Sequence, residues 1–550
     1  MKFKSDQTEQ KLRGGYYTPL EVATFLSKFA VDATTKTVLE PSCGDGIFFK
    51  SLAKIQPTVR ISAVEIDKVA SKKAKQLAQE LKLDLDFTIG DFLDPSLQIH
   101  KVKYAAVVGN PPYVRYQFLE PETQERSSKI FDQASLAFTK HTNLWVTFVI
   151  AALQRLDYSG RMAMIIPAEI LNVLHPGQLR KYLLSECSQI LIIDSQELIF
   201  AEALQGTVLL LAQKRKTPET QTSAKLAIQY EKNLNFLKKS PRAMFKKADY
   251  VDTVVSDQKW MLPLLTAKER EVIARVTAMP SVKRFGEIAK IEVGMVTGAN
   301  DFFLVNDDTV ETFSLNKYVL PMVGRSQHLR GVLYNQKKHA QNQQLKLPVN
   351  FIDFPSLSKD KLDKNLLKYV KHGESKGLHL RYKTRIRDPW YLVPSKWAPQ
   401  IFLLKRSYTV ARLVVNEIGA LNTDTAYRVN IKSDPYSFAF SFYNSLTAIS
   451  TELEGRSYGG GVLELVPSEV RRLVVPLVSA TRAEINQLDS AIESQVSTSE
   501  LLAMQDKIVL KKIGLSNSDI ANIQKARIKL QARRFRIDEP LDYIDDDQLN

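Results

Sequence analysis

Residues 38–46 read Val38-Leu39-Glu40-Pro41-Ser42-Cys43-Gly44-Asp45-Gly46. A β-branched run ends in an acid, passes through a Gly-x-Gly turn and enters an apolar helical stretch at Ile47. Gly44 and Gly46 let the backbone approach a ligand closely. With two glycines rather than three, the turn is not the full dinucleotide fingerprint. Taken alone it also reads as an ordinary strand-to-helix turn. Further along lie more short β-branched runs, Arg60–Glu65, Ala105–Gly109, Ala163–Pro167 and Ile190–Asp194, and between them helical stretches such as Lys68–Leu81 and Asn143–Leu156. This alternation predicts an α/β domain with a parallel sheet and helices on both faces. Ligands then sit outside the carboxyl ends of the strands.

Three further motifs fall at such ends. Val64-Glu65-Ile66-Asp67 closes the second strand with an acid, the usual clamp for ribose hydroxyls. Asp67 also suits a helix N-cap. Gly90-Asp91-Phe92 places an acid beside an aromatic after the third strand. An adenine amine and an adenine face could be held there. The chain has no GxxxxGK[ST] loop, which argues against ATP and for an adenosine ligand without phosphates. The fourth strand opens into Asn110-Pro111-Pro112-Tyr113. Two prolines stop the ladder and stiffen the turn. The Asn110 amide oxygen and a free carbonyl make two acceptors, enough to hold one exocyclic NH2 group. Tyr113 adds a flat face for a base.

Composition sets the wider frame. The chain has 550 residues, 44% apolar and 25% charged, which is ordinary globular composition. Its two cysteines, Cys43 and Cys187, provide neither a disulfide framework nor a Cys-rich zinc site, which fits a reducing cytoplasm. The ten-residue run Leu144–Leu153 is too short to span a bilayer, and the polar start lacks a signal-peptide core. Lys plus Arg is 76 against 60 for Asp plus Glu, a net charge of +16, which favours a polyanionic partner. Residues 351–410 alone hold 13 basic and 5 acidic residues, a local +8.

These motifs resemble those of amino-methyltransferases that use S-adenosylmethionine. The chain is similar in particular to gamma-order DNA N6-adenine methyltransferases of restriction–modification systems. In that order a Thr-Pro motif precedes the Gly-rich loop, as Gly15-Tyr16-Tyr17-Thr18-Pro19 does in this chain. The resemblance implies a Rossmann-like class I methyltransferase domain followed by an α+β target-recognition region, with the division expected at 240 and 241. It places Tyr17, Thr18, Glu40, Cys43, Gly44 and Gly46 around the methionine half of the cofactor. Glu65 would hold the ribose and Ile66 the adenine, with Asp91 and Phe92 at its edge and face. Phe148 matches a cofactor-packing aromatic. Asn110, Pro111, Pro112 and Tyr113 would form the catalytic turn, and Phe200 would close on the target base opposite Tyr113. No metal is implied.

Residues 214–222, polar and aperiodic, are a candidate linker. Beyond them, Ile291–Phe303 and Arg456–Glu469 resemble the opening and closing segments of target-recognition domains. The stretch Arg381–Arg387 mixes cations with an aromatic, so Lys383, Arg385 and Arg387 are candidates for phosphate contacts. Val496–Arg536 is expected to be mainly helical, with a basic end at Lys525–Arg536 and an acidic tail beyond. The expected partner is double-stranded DNA, bound by a monomer in a prokaryotic cytoplasm, with a separately encoded endonuclease as a further candidate. A nuclease fused at the N-terminus is not expected, given the dozen residues before Gly14. Cytosine N4, RNA and protein glutamine remain alternative acceptors, since the same amine chemistry serves each. A DNA-binding module without activity is disfavoured by the intact acid set.

Overall fold

The computed structural model describes residues 18–200, 206–219, 221–457 and 460–537. The chain divides into two compact units, one reaching to Thr266 and a second spanning Ala267–Phe535. The first is built on a nine-stranded sheet. Its strands are β1 (Thr37–Glu40), β2 (Arg60–Glu65), β3 (Asp84–Ile89), β4 (Tyr104–Gly109), β5 (Leu156–Pro167), β6 (Cys187–Ser195), β7 (Thr207–Lys214), β8 (Ser223–Glu231) and β9 (Val251–Val254). Their order is β3-β2-β1-β4-β5-β7-β6-β8-β9. The helices that matter for the site are α1 (Leu20–Ala30), α2 (Ile47–Ile55), α3 (Lys68–Glu80), α4 (Pro121–Gln133), α5 (Leu144–Arg155) and α6 (Gly177–Glu186).

Alternate residues show that both sheet faces are covered. Val38, Ala106, Val108, Ala163 and Ile165 join α1 and α2 in one core. Their neighbours Leu39, Val107, Met162, Met164 and Ile166 point the opposite way and are equally buried. The run Leu144–Leu153 lies in α5 and is buried on every side, as a helix apolar all round must be. No helix among the described residues is long and apolar enough to cross a membrane.

The sheet differs from the expected parallel one. Strands β3-β2-β1-β4-β5 are parallel, but β7 runs antiparallel to both β5 and β6, and β9 antiparallel to β8. A parallel neighbour needs a crossover of a dozen or more residues. The short return from Ser195 to Thr207 favours an antiparallel strand instead. The expected linker at 214–222 is also corrected. It joins β7 to β8, and both strands flank β6, so it is a loop within the sheet. Its polar composition marks solvent rather than a domain border. The division expected at 240 and 241 falls inside the first unit. There Phe245 packs on Phe29 at 4.8 Å between centroids, and Arg242 pairs with Asp32 at 2.8 Å.

The second unit is α+β. A five-stranded and a four-stranded sheet share it with helices that include Pro435–Phe442, Ser445–Glu454, Thr498–Lys512 and Asn517–Phe535. In the sequence Asp301-Phe302-Phe303 the two phenylalanines turn inward, with Phe302 stacked on Tyr369 at 4.6 Å. Gly294 is required just before it, because a Cβ there would lie 1.9 Å from the Thr423 carbonyl oxygen. The expected helical segment is the pair of helices Thr498–Lys512 and Asn517–Phe535. Its basic end is partly internal: Arg534 is buried, pairs with Glu452 at 2.8 Å and donates to the Tyr408 carbonyl at 2.6 Å.

Arg180 of α6 is the main polar staple of the first unit. Fully buried, it donates to the carbonyls of Ile170 (3.0 Å), Val173 (2.8 Å), Asp257 (2.8 Å) and Gln258 (2.7 Å). Burial lowers its pKa to about 10, so it stays charged at neutral pH. Arg180→Ala is expected to cost about 3 kcal/mol, because several buried acceptors lose their donor together. Urea unfolding would measure this, and a loss below about 0.5 kcal/mol, the size of an ordinary surface substitution, would contradict it.

Candidate active site

The strand order reverses between β1 and β4, and at this switch point the four sequence motifs meet along one sheet edge. The turn after β1 closes with the Gly46 N–H donating to the Cys43 carbonyl at 2.9 Å. Gly46 has φ +87°, and a Cβ there would also lie 2.7 Å from the Phe49 ring. Gly44, at φ +55°, faces open space. These two glycines therefore do different work. Gly46 leaves room for the Phe49 and Leu77 side chains of two helices, and Gly44 leaves a gap at the sheet edge.

Glu40 ends β1 at 1% exposure, with Oε2 buried and lacking a hydrogen-bond partner among the described residues. Burial pushes its pKa well above the usual carboxylate value, and the nearby charges of Glu65 and Asp45 push it further. Cys43 is buried as well, and burial raises its thiol pKa. It is consequently a poor nucleophile. Glu65 at the end of β2 ties two turns together. Its Oε2 accepts from the Gly44 N–H and its Oε1 from the Asp67 N–H, both at 2.8 Å. Asp67 caps α3, accepting from the N–H groups of Val69 (2.9 Å) and Ala70 (2.8 Å). Between them Ile66 stands 69% exposed, an apolar side chain held out beside an acid.

Asp91 follows β3. Its Oδ1 accepts from the Leu93 N–H at 2.9 Å, and its Oδ2 pairs with Arg126 of α4 at 2.8 Å. Phe92, expected to lie against a ligand's face, is instead buried between Phe148 and His100, each 5.3 Å away between ring centroids. A ring enclosed in this way supports the pocket wall rather than forming its surface. Phe148, from α5, is itself mostly buried.

The turn after β4 is anchored at three points. Asn110 Nδ2 donates to Thr18 Oγ1 at 3.3 Å, which sets the plane of the amide and hence the direction of Oδ1. The Ser42 hydroxyl donates to the Asn110 carbonyl at 3.2 Å. Tyr113 donates through its hydroxyl to the Ile165 carbonyl at 3.1 Å, leaving the ring half-exposed. Pro111 is buried and Pro112 half-buried. Tyr17 lies outside the described residues. Phe200, expected opposite Tyr113, is 7% exposed within the core that holds Phe25 and Phe236. A ring there offers no face to an incoming base without moving. The sequence reading missed Ser42, the Ile165 carbonyl and Arg126. The one local signal for Arg126 was its spacing of four from Glu122, and this marks many surface pairs.

In the second unit, the three candidate cations separate. Lys383 and Arg385 are exposed and flank the Tyr382 ring at 5.7 and 5.6 Å, with Tyr382 itself 65% exposed. Arg387 instead donates to the carbonyls of Val296 and Thr297, both at 2.7 Å. The expected phosphate contact at Arg387 is thereby corrected to a staple for that loop. The same loop borders a cleft of about 580 Å³, whose charged lining includes Asp301, Arg325, Arg381 and Asp424.

Glu40 gives a pH test. Its folded pKa lies above the ordinary value of 4.5, so the folded state binds the extra proton. Its contribution to stability is fully present below about pH 4.5 and is lost as pH rises through the folded pKa. Glu40→Gln is therefore expected to melt at a higher temperature than wild type at pH 8, with the gap closing as pH falls toward 4.5. A pH-independent gap in a thermal melt series would contradict burial of the Glu40 charge as its cause.

Two family profiles cover most of the chain. The N-6 DNA Methylase profile matches residues 3–264, and the profile of the Type II methyltransferase M.Eco57I C-terminal domain matches residues 257–510. They meet where the compact units part. The chain is 23% identical over 471 residues to the Type II methyltransferase M.AccI of Acinetobacter calcoaceticus, covering 83% of this chain and 84% of that protein. It is 21% identical over 476 residues to the Type II methyltransferase M.XamI of Xanthomonas campestris pv. amaranthicola, covering 84% and 85%. These matches favour adenine in DNA over the cytosine, RNA and glutamine alternatives. With the Asn110–Tyr113 turn anchored at the switch point of the sheet, they show an adenine-specific DNA methyltransferase of restriction–modification type, whose first half matches the N-6 DNA Methylase family and whose second half matches the M.Eco57I C-terminal domain family.

Proposed function

We propose that this sheet edge binds S-adenosylmethionine and that the Asn110–Tyr113 turn holds the N6 amine of an adenine flipped out of duplex DNA. The anchoring of Asn110 to Thr18 and Ser42 carries this reading, because it couples the catalytic turn directly to the Gly-rich turn. The residues present fit the cofactor. The orphaned, buried Glu40 Oε2 suits the methionine ammonium, and Gly44 leaves room beside it. Glu65 retains acceptor capacity for ribose hydroxyls after its two backbone bonds. Exposed Ile66 offers apolar cover for the adenine, and Asp91 an acceptor for its amine. When bound, the cofactor supplies a methyl group on a sulfonium.

The chain's own part is to position and polarise. Flipping removes the adenine from its stack, and the Tyr113 ring replaces part of what is lost, ~1–3 kcal/mol per aromatic contact. Asn110 Oδ1 and the Pro111 carbonyl accept the two N6 hydrogens. This favours a pyramidal nitrogen and turns its lone pair toward the methyl group. After transfer, the N6 proton leaves readily, so no strong base is needed. Catalysis rests on orientation and fixed dipoles. Residues 267–535 provide DNA binding and sequence choice in this reading. The protein acts as a monomer on the duplex in a prokaryotic cytoplasm, beside a separately encoded endonuclease. The Type II methyltransferase relatives, both from bacteria, support the prokaryotic part of that setting.

Asn110→Ala is expected to lower methyl transfer by ~3 kcal/mol of barrier, roughly a hundredfold or more, while cofactor affinity by calorimetry stays near wild type. Near-normal turnover would remove Asn110 from the reaction. Neutralising Lys383 and Arg385 together should weaken specific and random duplexes alike. It should flatten the salt dependence by roughly two units of slope. The methylated sequence should not change, since phosphate contacts carry no base information. An unchanged slope, read by fluorescence anisotropy across a salt series, would move the DNA path elsewhere.

A further inference from the structure

The helix that follows the catalytic turn reaches back into the cofactor site. From α4, Arg126 Nη1 donates to Asp91 Oδ2 at 2.8 Å. Its Nη2 reaches Glu122 Oε1 at 2.6 Å and Asp94 Oδ2 at 3.5 Å. Asp91 Oδ1 is already held by the Leu93 N–H at 2.9 Å. The two oxygens of one carboxylate are thus gripped by donors from separate elements, a backbone amide after β3 and a guanidinium on α4. The terminal torsion of an aspartate is otherwise broad and roughly two-fold. Held at both ends, this carboxylate has one plane. About four lone-pair directions belong to it, and two remain for a ligand in that plane. Arg126 also places a cation among three carboxylates, which reduces their mutual repulsion at the site's edge. The side chains of Arg126 and Asp91 are both mostly buried, so the pair is less screened than a surface one.

We propose that Arg126 is a positioning residue for the cofactor: it holds Asp91 in the orientation that accepts the adenine 6-amino group. This rests on the reading of the sheet edge as an S-adenosylmethionine site and names the residue that makes Asp91 selective. Arg126 acts through Asp91 and touches neither the methyl group nor the target base. Its fork matters more than its charge, because a lysine ammonium cannot bond Asp91 and Glu122 with the same planar geometry.

The test compares S-adenosylmethionine with its purine counterpart lacking the 6-amino group, both measured by calorimetry on the full chain. Wild type should prefer the amine-bearing ligand. Arg126→Ala should weaken S-adenosylmethionine roughly tenfold, the scale of one charge-assisted bond, and leave the purine counterpart within about twofold. Arg126→Lys should fall between, with the same selectivity. Added to Asp91→Asn, Arg126→Ala should have no further effect. Glu122→Ala, which removes the exposed outer anchor of the fork, should weaken S-adenosylmethionine less than Arg126→Ala does, with the same selectivity. If both ligands weaken equally in Arg126→Ala, or in Arg126→Lys should the alanine variant not fold, the residue merely packs α4 and the proposal falls. Additive losses with Asp91→Asn would overturn it as well. A wild type that binds S-adenosylmethionine but ignores the missing amine removes Asp91 and Arg126 alone. A wild type that binds neither ligand overturns the cofactor reading itself.

Discussion

The parallel pairing of β1 with β4 is the constraint on which the site depends. Val38 lies opposite Ala106 and Leu39 opposite Val107, so both strands end at the same edge. Ser42 and Asn110, far apart in sequence, come within hydrogen-bond distance because of that register. The helices that follow leave toward the faces, and the edge stays open. A shift of one residue would turn Glu40 and Asn110 to the opposite faces and separate the two motifs.

That edge is costly for a folded protein. It gathers Glu40, Asp45, Glu65 and Asp91 within a few turns of chain, and Glu40 is buried without a partner for one oxygen among the described residues. Unpaired buried carboxylates lower stability, and the cost is borne by a well-packed sheet buried on both faces. The arrangement makes sense if the missing partner is a ligand. A group carrying a sulfonium and an ammonium would find compensating charge on every side. Stability is thereby exchanged for affinity. Arg126 supplies part of the compensation before any ligand arrives.

The second unit treats its arginines differently. Arg534 and Arg387 are spent on carbonyls and on a buried glutamate, holding helix and loop in place. Lys383 and Arg385 are left outside, beside an exposed tyrosine. A single run of basic sequence therefore contains both structural and solvent-facing cations. Charge counting alone does not separate them, because the place of Arg387 is set by the Val296 and Thr297 carbonyls, which come from a loop distant in sequence.

The sequence by itself determined the chemistry of the edge. Strand-to-turn transitions at Glu40, Glu65, Asp91 and Asn110 are local patterns, set by β-branched runs, glycine and proline. Each is legible within a short window of chain. So were the main helices and the α+β character of the second unit. The antiparallel insertion of β7, the role of residues 214–222 and the true border near Thr266 were not legible, because they depend on which strands pair across the sheet. The same holds for single residues. Phe92 and Phe200 look like ligand aromatics in sequence, and only packing places their rings inside the core. Arg387 looks like a phosphate contact, and only the fold brings the Val296 and Thr297 carbonyls to it. Arg126 looks like half of an exposed helix pair, and only the placement of α4 brings it onto Asp91. Local pattern decides which groups a chain offers, whereas long-range packing decides which of them stay available, since burial and hydrogen bonding are properties of neighbours distant in sequence.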